Sequence, residues 1–204
     1  MKRHTETEVE YLFKVVLIGD SSVGKTKIQQ RFLHNTFEAE SKATIGVEFS
    51  SKTIRVENNL SVRAQIWDTA GQEQYRALVP SYYRDAAGAL LVFDLTSNNS
   101  FTNAQRWLSE LREKSDDSVV VLLVGNKSDL KESRKVPFEE ASTWAEKMHL
   151  AYIETSALDG SNVEIAFCRL VQEIYRQKKE EENDRTQNKF HNMKYESSRG
   201  TSVL

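Results

Sequence analysis

The segment 19–26, with the sequence Gly-Asp-Ser-Ser-Val-Gly-Lys-Thr, joins an apolar run to the start of a helical apolar pattern. The run 12–18 is typical of a buried strand, and Ile28, Phe32 and Leu33 begin an apolar helical stripe after the segment. Glycines let the backbone curl so that successive N–H groups point inward, and the helix start adds the positive end of its dipole. A strand, such a loop and a helix together predict a phosphate-binding loop.

Two side chains of this loop have the chemistry that phosphates require. Lys25 supplies a point charge to β- and γ-phosphates, and the Thr26 hydroxyl can ligate Mg²⁺. The alternative interpretation is a glycine-rich turn with an exposed lysine. The position of the loop between strand and helix argues against that alternative.

Length and composition limit the class of protein. The 204 residues suffice for one sizeable core but not for two. The formal net charge of −2, without a basic cluster, argues against nucleic acid as a partner. The single cysteine, Cys168, excludes an internal disulfide, fits a reducing compartment and is expected to pack in the core. No run approaches the ~18 apolar residues of a membrane span and no secretory signal is present, so we expect a cytoplasmic protein.

Apolar runs alternate with helical patterns along the rest of the chain. The pattern predicts strands over 47–56, 61–68, 87–93, 119–124 and Ala151–Glu154, and helices through 101–111, 138–148 and 163–174. The order βαββαβαβαβα predicts an α/β fold of three layers, with a six-stranded, mostly parallel sheet, one antiparallel edge strand and five helices. We expect a flexible N-terminus over 1–10, one domain over 11–176 and a disordered tail over 177–204, where apolar residues nearly vanish.

Further candidate residues stand at the carboxyl ends of predicted strands, where open α/β sheets bind ligands. Asp68 ends one strand, and its carboxylate can hold Mg²⁺, usually through water. Asp129, in the segment 125–129, can accept hydrogen bonds from both N1–H and the N2 amino group of guanine, a donor pair that adenine lacks. The segment 154–158 can present a backbone N–H to the guanine carbonyl. Taken alone, Asn126 and Asp129 are equally well turn and cap residues; the ordered set of motifs predicts a guanine nucleotide site.

With these motifs the chain resembles the small Ras-like GTPases, and within them the Rab family, over residues 11–176. The stretch 42–49 resembles a Rab first switch and 67–73 the second. The stretches 125–130 and 153–159 are most similar to the Rab branch associated with recycling endosomes. The resemblance implies the P-loop NTPase fold and a GTP-binding, GTP-hydrolysing switch in vesicle trafficking, either in endosomal recycling or in exocytosis.

The resemblance also implies catalytic roles. Thr44 contacts both Mg²⁺ and the γ-phosphate, the Gly71 N–H contacts the same phosphate, Gln72 orients the attacking water and Lys25 binds the phosphates. Loss of the γ-phosphate then releases both switches. No arginine of the matched loops is placed to act in cis, so hydrolysis is slow alone and a partner's arginine accelerates it by about 10³ to 10⁵.

The implied ligands can be stated residue by residue. Phe37 packs edge-on against the guanine and Lys127 lies over its face. The nucleotide contacts are Ser21, Ser22, Val23, Gly24, Lys25, Thr26, Lys27, Phe37, Thr44, Gly71, Asn126, Lys127, Asp129, Ser156, Ala157 and Leu158. The Mg²⁺ ligands are Thr26, Thr44 and Asp68.

A surface for partners is implied as well. Phe49, Trp67 and Tyr82 resemble the exposed aromatic triad by which Rabs bind effectors, and Ile45 is assigned to the same surface. The alternative is that these side chains belong to the core. The implied partners are GTP and GDP, effectors, an exchange factor and a GTPase-activating protein, and we expect a monomer.

Three features depart from the family pattern. Ser22 stands at a loop position that is often Gly or Ala in relatives, and Gln74 stands where Rabs usually have Arg. The sequence ends without the cysteine that carries a prenyl group in Rabs. We therefore expect a cytoplasmic protein that reaches the cytosolic face of endosomal or other transport membranes only peripherally, through its partners.

Two other functional classes remain open at this point. A metabolic P-loop kinase would transfer phosphate to a small acceptor, and the segment 126–129 argues against it because that segment selects guanine. A scaffold would bind GTP without turnover, and the presence of Thr44, Asp68, Gly71 and Gln72 argues against it. Measured GTP turnover, with and without a Rab-activating protein, distinguishes the three classes.

Overall fold

The computed structural model describes residues 9–38, 47–69, 82–116 and 118–199, and within them six strands and four α-helices. The strands are β1 Val9–Ile18, β2 Val47–Arg55, β3 Ser61–Thr69, β4 Gly88–Asp94, β5 Val120–Asn126 and β6 Ala151–Glu154. The helices are α1 Lys25–His34, α2 Asn98–Lys114, α3 Phe138–Lys147 and α4 Val163–Arg199. The fifth helix of the predicted pattern falls between β3 and β4, where residues 70–81 lie outside the described part.

The six strands form one sheet in the order β2-β3-β1-β4-β5-β6. Only β2 runs antiparallel, and it pairs with β3 at the sheet edge. The other pairs are parallel, and within the described ranges α2 connects β4 to β5 and α3 connects β5 to β6. All seven residues of β4 are buried, because a central parallel strand is covered on both faces. The predicted α/β fold, with its mostly parallel sheet and antiparallel edge, is confirmed.

The strand period of two divides the core between the two faces of the sheet. In β1, Val15 and Leu17 join the cluster covered by α1 and α4, whereas Val16 and Ile18 join the cluster covered by α2 and α3. Phe32 of α1 stacks on Phe167 of α4, with ring centroids 4.0 Å apart. Helices on both faces make the three layers, and they fix the carboxyl ends of β1, β3, β5 and β6 at one edge of the domain.

Helix α4 continues through Arg199, so residues 177–199, the described part of the tail expected to be disordered, are helical. The composition of this stretch allows a helix, because its charges recur at helical spacing. Arg176 pairs with Glu173 and Glu180 at 2.6 Å, and such i,i+3 and i,i+4 pairs support an exposed helix. Glu182 also accepts a hydrogen bond from the Tyr11 hydroxyl at 3.0 Å, which ties α4 to β1.

From the sequence, we expect Cys168 to pack in the core, and no apolar run is long enough for a membrane span. Cys168 lies half-buried in α4 as a free thiol, and burial raises its pKa. Among the helices of the described residues, none is both long enough and apolar enough to span a bilayer.

Candidate functional site

The loop between β1 and α1 depends on glycine at two positions. Gly19 has a φ of 138° and Gly24 a φ of 100°, which L-residues rarely adopt. Space is also limiting: a Cβ on Gly19 would lie 2.1 Å from the carbonyl oxygen of Val92, and one on Gly24 would lie 2.3 Å from Nδ2 of Asn126. The loop can therefore curl against β4 and the Asn126 side chain only because Gly19 and Gly24 have no side chain.

The N-terminus of α1 opens at this loop without a cap. Its N-cap residue, Gly24, makes no side-chain capping bond, and the first turn contains no acidic residue. The first backbone N–H groups of a helix have no intrahelical acceptor, and they carry the positive end of the helix dipole. This helix start can bind an anionic phosphate group.

Lys25 lies at the centre of the loop and is only 5% exposed. Its ammonium group donates to the carbonyl oxygens of Gly19, at 2.8 Å, and Asp20, at 2.7 Å. Burial lowers the pKa of Lys25 to about 8, although the charges of Asp68 and Asp20 act to raise it. A buried ammonium held by neutral carbonyls gains most from an incoming phosphate charge.

Asp68 and Thr26 form the second part of the site. Asp68 is fully buried, the Thr26 hydroxyl donates to its Oδ2, and Oδ1 has no hydrogen-bond partner among the described residues. Burial raises the pKa of Asp68 to about 6, and Glu48 acts in the same direction, whereas Thr26 and Lys25 oppose the shift. An unpaired buried carboxylate oxygen is costly. Hard oxygen ligands beside a phosphate loop fit Mg²⁺, which would satisfy that oxygen.

Asn126 at the end of β5 joins two loops. Its Nδ2 donates to the carbonyl oxygen of Val23 at 2.8 Å. Its Oδ1 accepts from the Thr155 hydroxyl at 3.2 Å and from the Ala157 N–H at 3.3 Å. Because Asn126 is only 1% exposed, these bonds form in a site with little competing water. The side chain holds the phosphate loop and the segment after β6 in one arrangement.

Asp129 lies beside the segment after β6. Its Oδ1 accepts a hydrogen bond from the Ser156 hydroxyl at 2.7 Å, which orients the carboxylate. Arg31 of α1 holds the same segment from the other side: its guanidinium donates to the carbonyl oxygens of Ala157, at 2.9 Å, and Leu158, at 2.6 Å. The side chain of Leu158 is exposed.

The sequence assigns Phe37 to an edge-on contact with the guanine ring and Lys127 to the face of that ring. Lys127 has a φ of 68°, and its ammonium group pairs with Oδ2 of Asp94 at 2.6 Å. Phe37 is partly buried against the core, and Nζ of Lys27 lies 5.7 Å from its ring centroid. Contacts of these side chains with a guanine stay predictions.

A polar network next to the segment 155–158 was not predicted from the sequence. Arg134 binds Glu154 through two hydrogen bonds of 2.7 and 2.6 Å, and the Tyr152 hydroxyl donates to Glu154 at 2.9 Å. Burial acts to raise the pKa of Glu154, but the hydrogen bonds and charge of its partners outweigh burial and lower it. Burial and the Glu154 charge raise the pKa of Tyr152, and Glu154 raises that of Arg134. This network fixes Glu154 at the end of β6, next to Thr155.

The aromatic residues assigned to effector binding lie on β2, on β3 and before β4. Phe49 is 52% exposed and meets Trp67 edge-on, with ring centroids 5.4 Å apart. Nζ of Lys14 lies 4.5 Å from the Trp67 ring. Trp67 and Tyr82 are partly buried against the same core cluster. Phe49 thus belongs to the surface, while the other two rings are shared between surface and core.

Several predicted site residues cannot be placed. Thr44, Ile45, Gly71, Gln72 and Gln74 lie outside the described residues. Of the others, Ser21 and Ser22 are exposed on the phosphate loop, and Val23 is buried beneath it. The structure brings the phosphate loop, Asp68, Asn126, Asp129 and the segment 155–158 to one edge of the sheet.

Comparisons with known proteins agree on one family. The model of the Ras family matches residues 14–176. The Ras-related protein rab-11.1 of Caenorhabditis elegans is 56% identical over 171 residues, which cover 84% of this chain and 81% of that protein. The matched range contains the described segments of the candidate site.

Proposed function

Since this chain belongs to the Ras family, and within it to the Rab GTPases, we propose that the edge of the sheet described above binds GTP and GDP with Mg²⁺. The chain is a GTP-binding and GTP-hydrolysing switch of the Rab type. The observation that carries the site assignment is the double role of Asn126. One buried carboxamide bonds to Val23 in the loop proposed to bind the phosphates and to Ala157 in the segment proposed to bind the base, so the two parts are held side by side.

Guanine selection is assigned to Asp129 and the segment 155–158. A carboxylate accepts both the N1–H and the N2 amino group of guanine, whereas adenine leaves the carboxylate unpaired. The Ser156 hydroxyl orients Asp129 through Oδ1, and Arg31 fixes the backbone that presents the Ala157 N–H. Phe37 is proposed to pack edge-on against the guanine ring, and Lys127 to lie over its face.

The phosphates are assigned to the loop 19–26. Backbone N–H groups at the open start of α1 and the ammonium of Lys25 would bind the β- and γ-phosphates. Ras-superfamily GTPases generally use Mg²⁺ with GTP. In this chain Thr26 and Asp68, together with Thr44, would hold the ion, which offsets phosphate charge when bound.

Hydrolysis is assigned to Gln72, which would orient the attacking water, with Thr44 and the Gly71 N–H at the γ-phosphate. Lys25 stabilises the charge that develops on the phosphoryl oxygens. We propose that a partner's arginine accelerates this slow step. Loss of the γ-phosphate would then release the segments that contain Thr44 and Gly71.

Proteins of this family bind regulators as well as nucleotide. We propose that effectors bind the surface formed by Ile45, Phe49, Trp67 and Tyr82, and that the protein acts as a monomer. The exposed Phe49 ring, packed on Trp67, supports an interface at this position. We propose that the switch acts in endosomal recycling, on the cytosolic face of transport membranes; the similarity to rab-11.1 supports this proposal.

The binding assignment is tested by displacement of a fluorescent GDP analogue from the purified protein. With Mg²⁺ present, GDP and GTP should displace the analogue, and ATP should be weaker by a factor of about 10⁴ or more. Chelation of Mg²⁺ should speed GDP release in the native chain but much less in Thr26→Ala. Thr102→Ala, an exposed threonine whose hydroxyl bonds only within α2, is the matched control. Equal affinities for ATP and GTP would overturn the assignment.

Turnover tests the proposed catalytic residues. Single-turnover GTP hydrolysis should be slow alone and faster with a Rab-activating protein. Gln72→Leu should reduce hydrolysis while GTP affinity persists, because water positioning is lost but base and phosphate contacts remain. Unchanged stimulated hydrolysis in Gln72→Leu would remove Gln72 from this role.

A further inference from the structure

The side chain of Asp20 belongs to the phosphate loop but is bound by α2. The Trp107 indole N–H donates to its Oδ1 at 2.8 Å, and the Asn103 amide donates to its Oδ2 at 2.8 Å. Each carboxylate oxygen therefore has its own donor. Hydrogen bonds to a charged acceptor are stronger than those between neutral groups, so this contact fixes the loop on α2.

The two donors are held on a rigid element. Asn103 and Trp107 are four residues apart, so they lie on one face of α2. The same helix buries Ala104, Leu108 and Leu111 against the sheet, and Trp107 itself is only 9% exposed. Core packing therefore determines where the carboxylate of Asp20 is held.

Asp20 also contacts the lysine of the loop. Its main-chain carbonyl oxygen accepts a hydrogen bond from Lys25 Nζ at 2.7 Å. Its carboxylate adds a negative charge that acts to raise the pKa of Lys25. One residue thus connects α2, through its side chain, with the ammonium group assigned to the phosphates, through its backbone.

We propose that Asp20, held by Trp107 and Asn103, is a positioning residue that directs Lys25 and the phosphate loop toward the β-phosphate of the nucleotide. This inference rests on the proposed function, because it needs a guanine nucleotide in the loop. It assigns part of the affinity for diphosphate to α2, a helix to which no nucleotide contact is assigned.

A purely structural role of the same bonds makes a different prediction. If the contact only attached α2 to the domain, its loss would weaken every ligand of the site together. If it positions the loop, its loss should weaken GDP far more than GMP, which binds the same base pocket without a β-phosphate. The ratio of the two affinities therefore separates the alternatives.

The experiment measures equilibrium dissociation constants for GDP and GMP with Mg²⁺, together with thermal midpoints. Trp107→Phe keeps most of the ring but removes the N–H donor. The matched control is Trp144→Phe on α3, where the indole packs edge-on against Phe101 and lies outside the phosphate loop. Trp107→Phe should weaken GDP by about tenfold and GMP by less than about twofold, the loss of one charged hydrogen bond. Trp144→Phe should leave the ratio of GDP affinity to GMP affinity unchanged.

Two further variants keep the inference falsifiable if Trp107→Phe folds poorly. Asn103→Ala removes the second donor. Like Trp107→Phe, it should lower the ratio of GDP affinity to GMP affinity. Asp20→Asn retains an acceptor for Trp107, whereas Asp20→Ala does not. The ratio of GDP affinity to GMP affinity should therefore be higher in Asp20→Asn than in Asp20→Ala.

The proposal is overturned if Trp107→Phe and Asn103→Ala both leave the ratio of GDP affinity to GMP affinity at the native value, whether the two affinities stay unchanged or fall equally. A native chain that discriminates GDP from ATP while these variants keep the ratio would leave the guanine assignment intact and remove only the role of Asp20. A native chain without such discrimination would instead overturn the proposed function.

Discussion

The carboxamide of Asn126 donates a hydrogen bond of 2.8 Å to the carbonyl oxygen of Val23, so the loops after β5 and β1 are bonded directly across the end of β4. The bond passes through the space left by Gly24, where a Cβ would lie 2.3 Å from Asn126 Nδ2. The parts of the site assigned to the base and to the phosphates are therefore one unit, and a change in either should alter the other.

Asn126→Asp tests this unit. The carboxylate cannot donate to Val23 and would face its carbonyl oxygen in a buried position. We expect a loss of about 1–3 kcal/mol in the free energy of unfolding, measured by urea denaturation, and faster GDP release. Asn162→Asp is the control, because that exposed amide donates to the Glu154 carbonyl; it should lose less than about 0.5 kcal/mol. If both variants lost a similar amount of unfolding free energy, the hydrogen bond from Asn126 to Val23 would contribute no more to stability than an exposed one.

Asp129→Asn should shift the base preference from guanine to xanthine nucleotides. The amide donates where the carboxylate accepts, so it pairs with the O2 carbonyl of xanthine instead of the N2 amino group of guanine. Competition of GTP and XTP against a bound fluorescent nucleotide measures the shift. Asp159→Asn provides the control, since Asp159 is exposed and bonds to the Ser161 N–H. If Asp129→Asn retained its preference for GTP, the base would be recognised by other groups.

Ser22→Gly should stabilise the nucleotide-free protein. Ser22 has a φ of 65°, a left-handed conformation that costs an L-residue about 1 kcal/mol and glycine almost nothing. Ser21→Gly, at an exposed neighbouring position without a positive φ, should destabilise slightly instead. Thermal or urea unfolding of the two variants gives the comparison. Stabilisation by both or by neither would contradict the strain at Ser22.

Glu154→Gln should show a defined pH dependence. The folded state lowers the pKa of Glu154 below its ordinary 4.5, so the ionised group stabilises the fold above that pH, and this contribution disappears as pH falls through the lowered pKa. At pH 7 the variant should lose about 1 kcal/mol, since solvent partly screens the pair with Arg134. The difference from the native chain should shrink below pH about 4.5. Glu173→Gln breaks an exposed pair with Arg176 and should have little effect at any pH. A loss at Glu154 that is independent of pH would point to packing instead of charge.

Trp67→Ala should weaken the binding of GTP-dependent effectors while nucleotide affinity persists. Buried aromatic anchors typically cost about 2 kcal/mol or more when truncated in an interface. Binding of a purified Rab effector and of GDP to the same variant separates the two effects. Trp144→Ala removes an equal ring from α3 and controls for general loss of packing. Parallel loss of effector and GDP would assign Trp67 to the core.

Much of the fold follows from the sequence because the sheet is built from uninterrupted apolar runs. The run 61–68 was predicted within one residue of β3, and Ala151–Glu154 matches β6. Strand β5 extends to Asn126, two residues past its apolar run, because hydrogen bonds to β4 continue into the polar loop. The helical end of α4 was missed because its exposed charge pairs leave no apolar stripe to detect.

The site divides in the same way between local and distant signals. The phosphate loop, Asn126 and Asp129 could be proposed as site residues from the sequence, because each depends on a short spacing next to a strand. The residues that hold these groups in place could not be found in this way, because they are distant in sequence. Trp107 is 87 positions from Asp20, and Arg31 is 127 positions from Leu158. Such contacts depend on how α1 and α2 pack on the sheet, and no spacing rule encodes them.

The turn Glu57–Asn59 lies at the far end of the hairpin from the site, yet its length governs the surface proposed for effectors. The register pairs Phe49 with Trp67 and Glu48 with Asp68, so the aromatic pair and the acidic pair occupy opposite faces. Since β1 holds β3 on its other side, a one-residue insertion in the turn would be absorbed by β2. The slip would exchange the faces of Phe49 and Glu48 and dismantle the aromatic pair without altering either ring. A change in turn length, eight positions from Phe49 and eight from Trp67, would thereby alter the surface that a partner contacts.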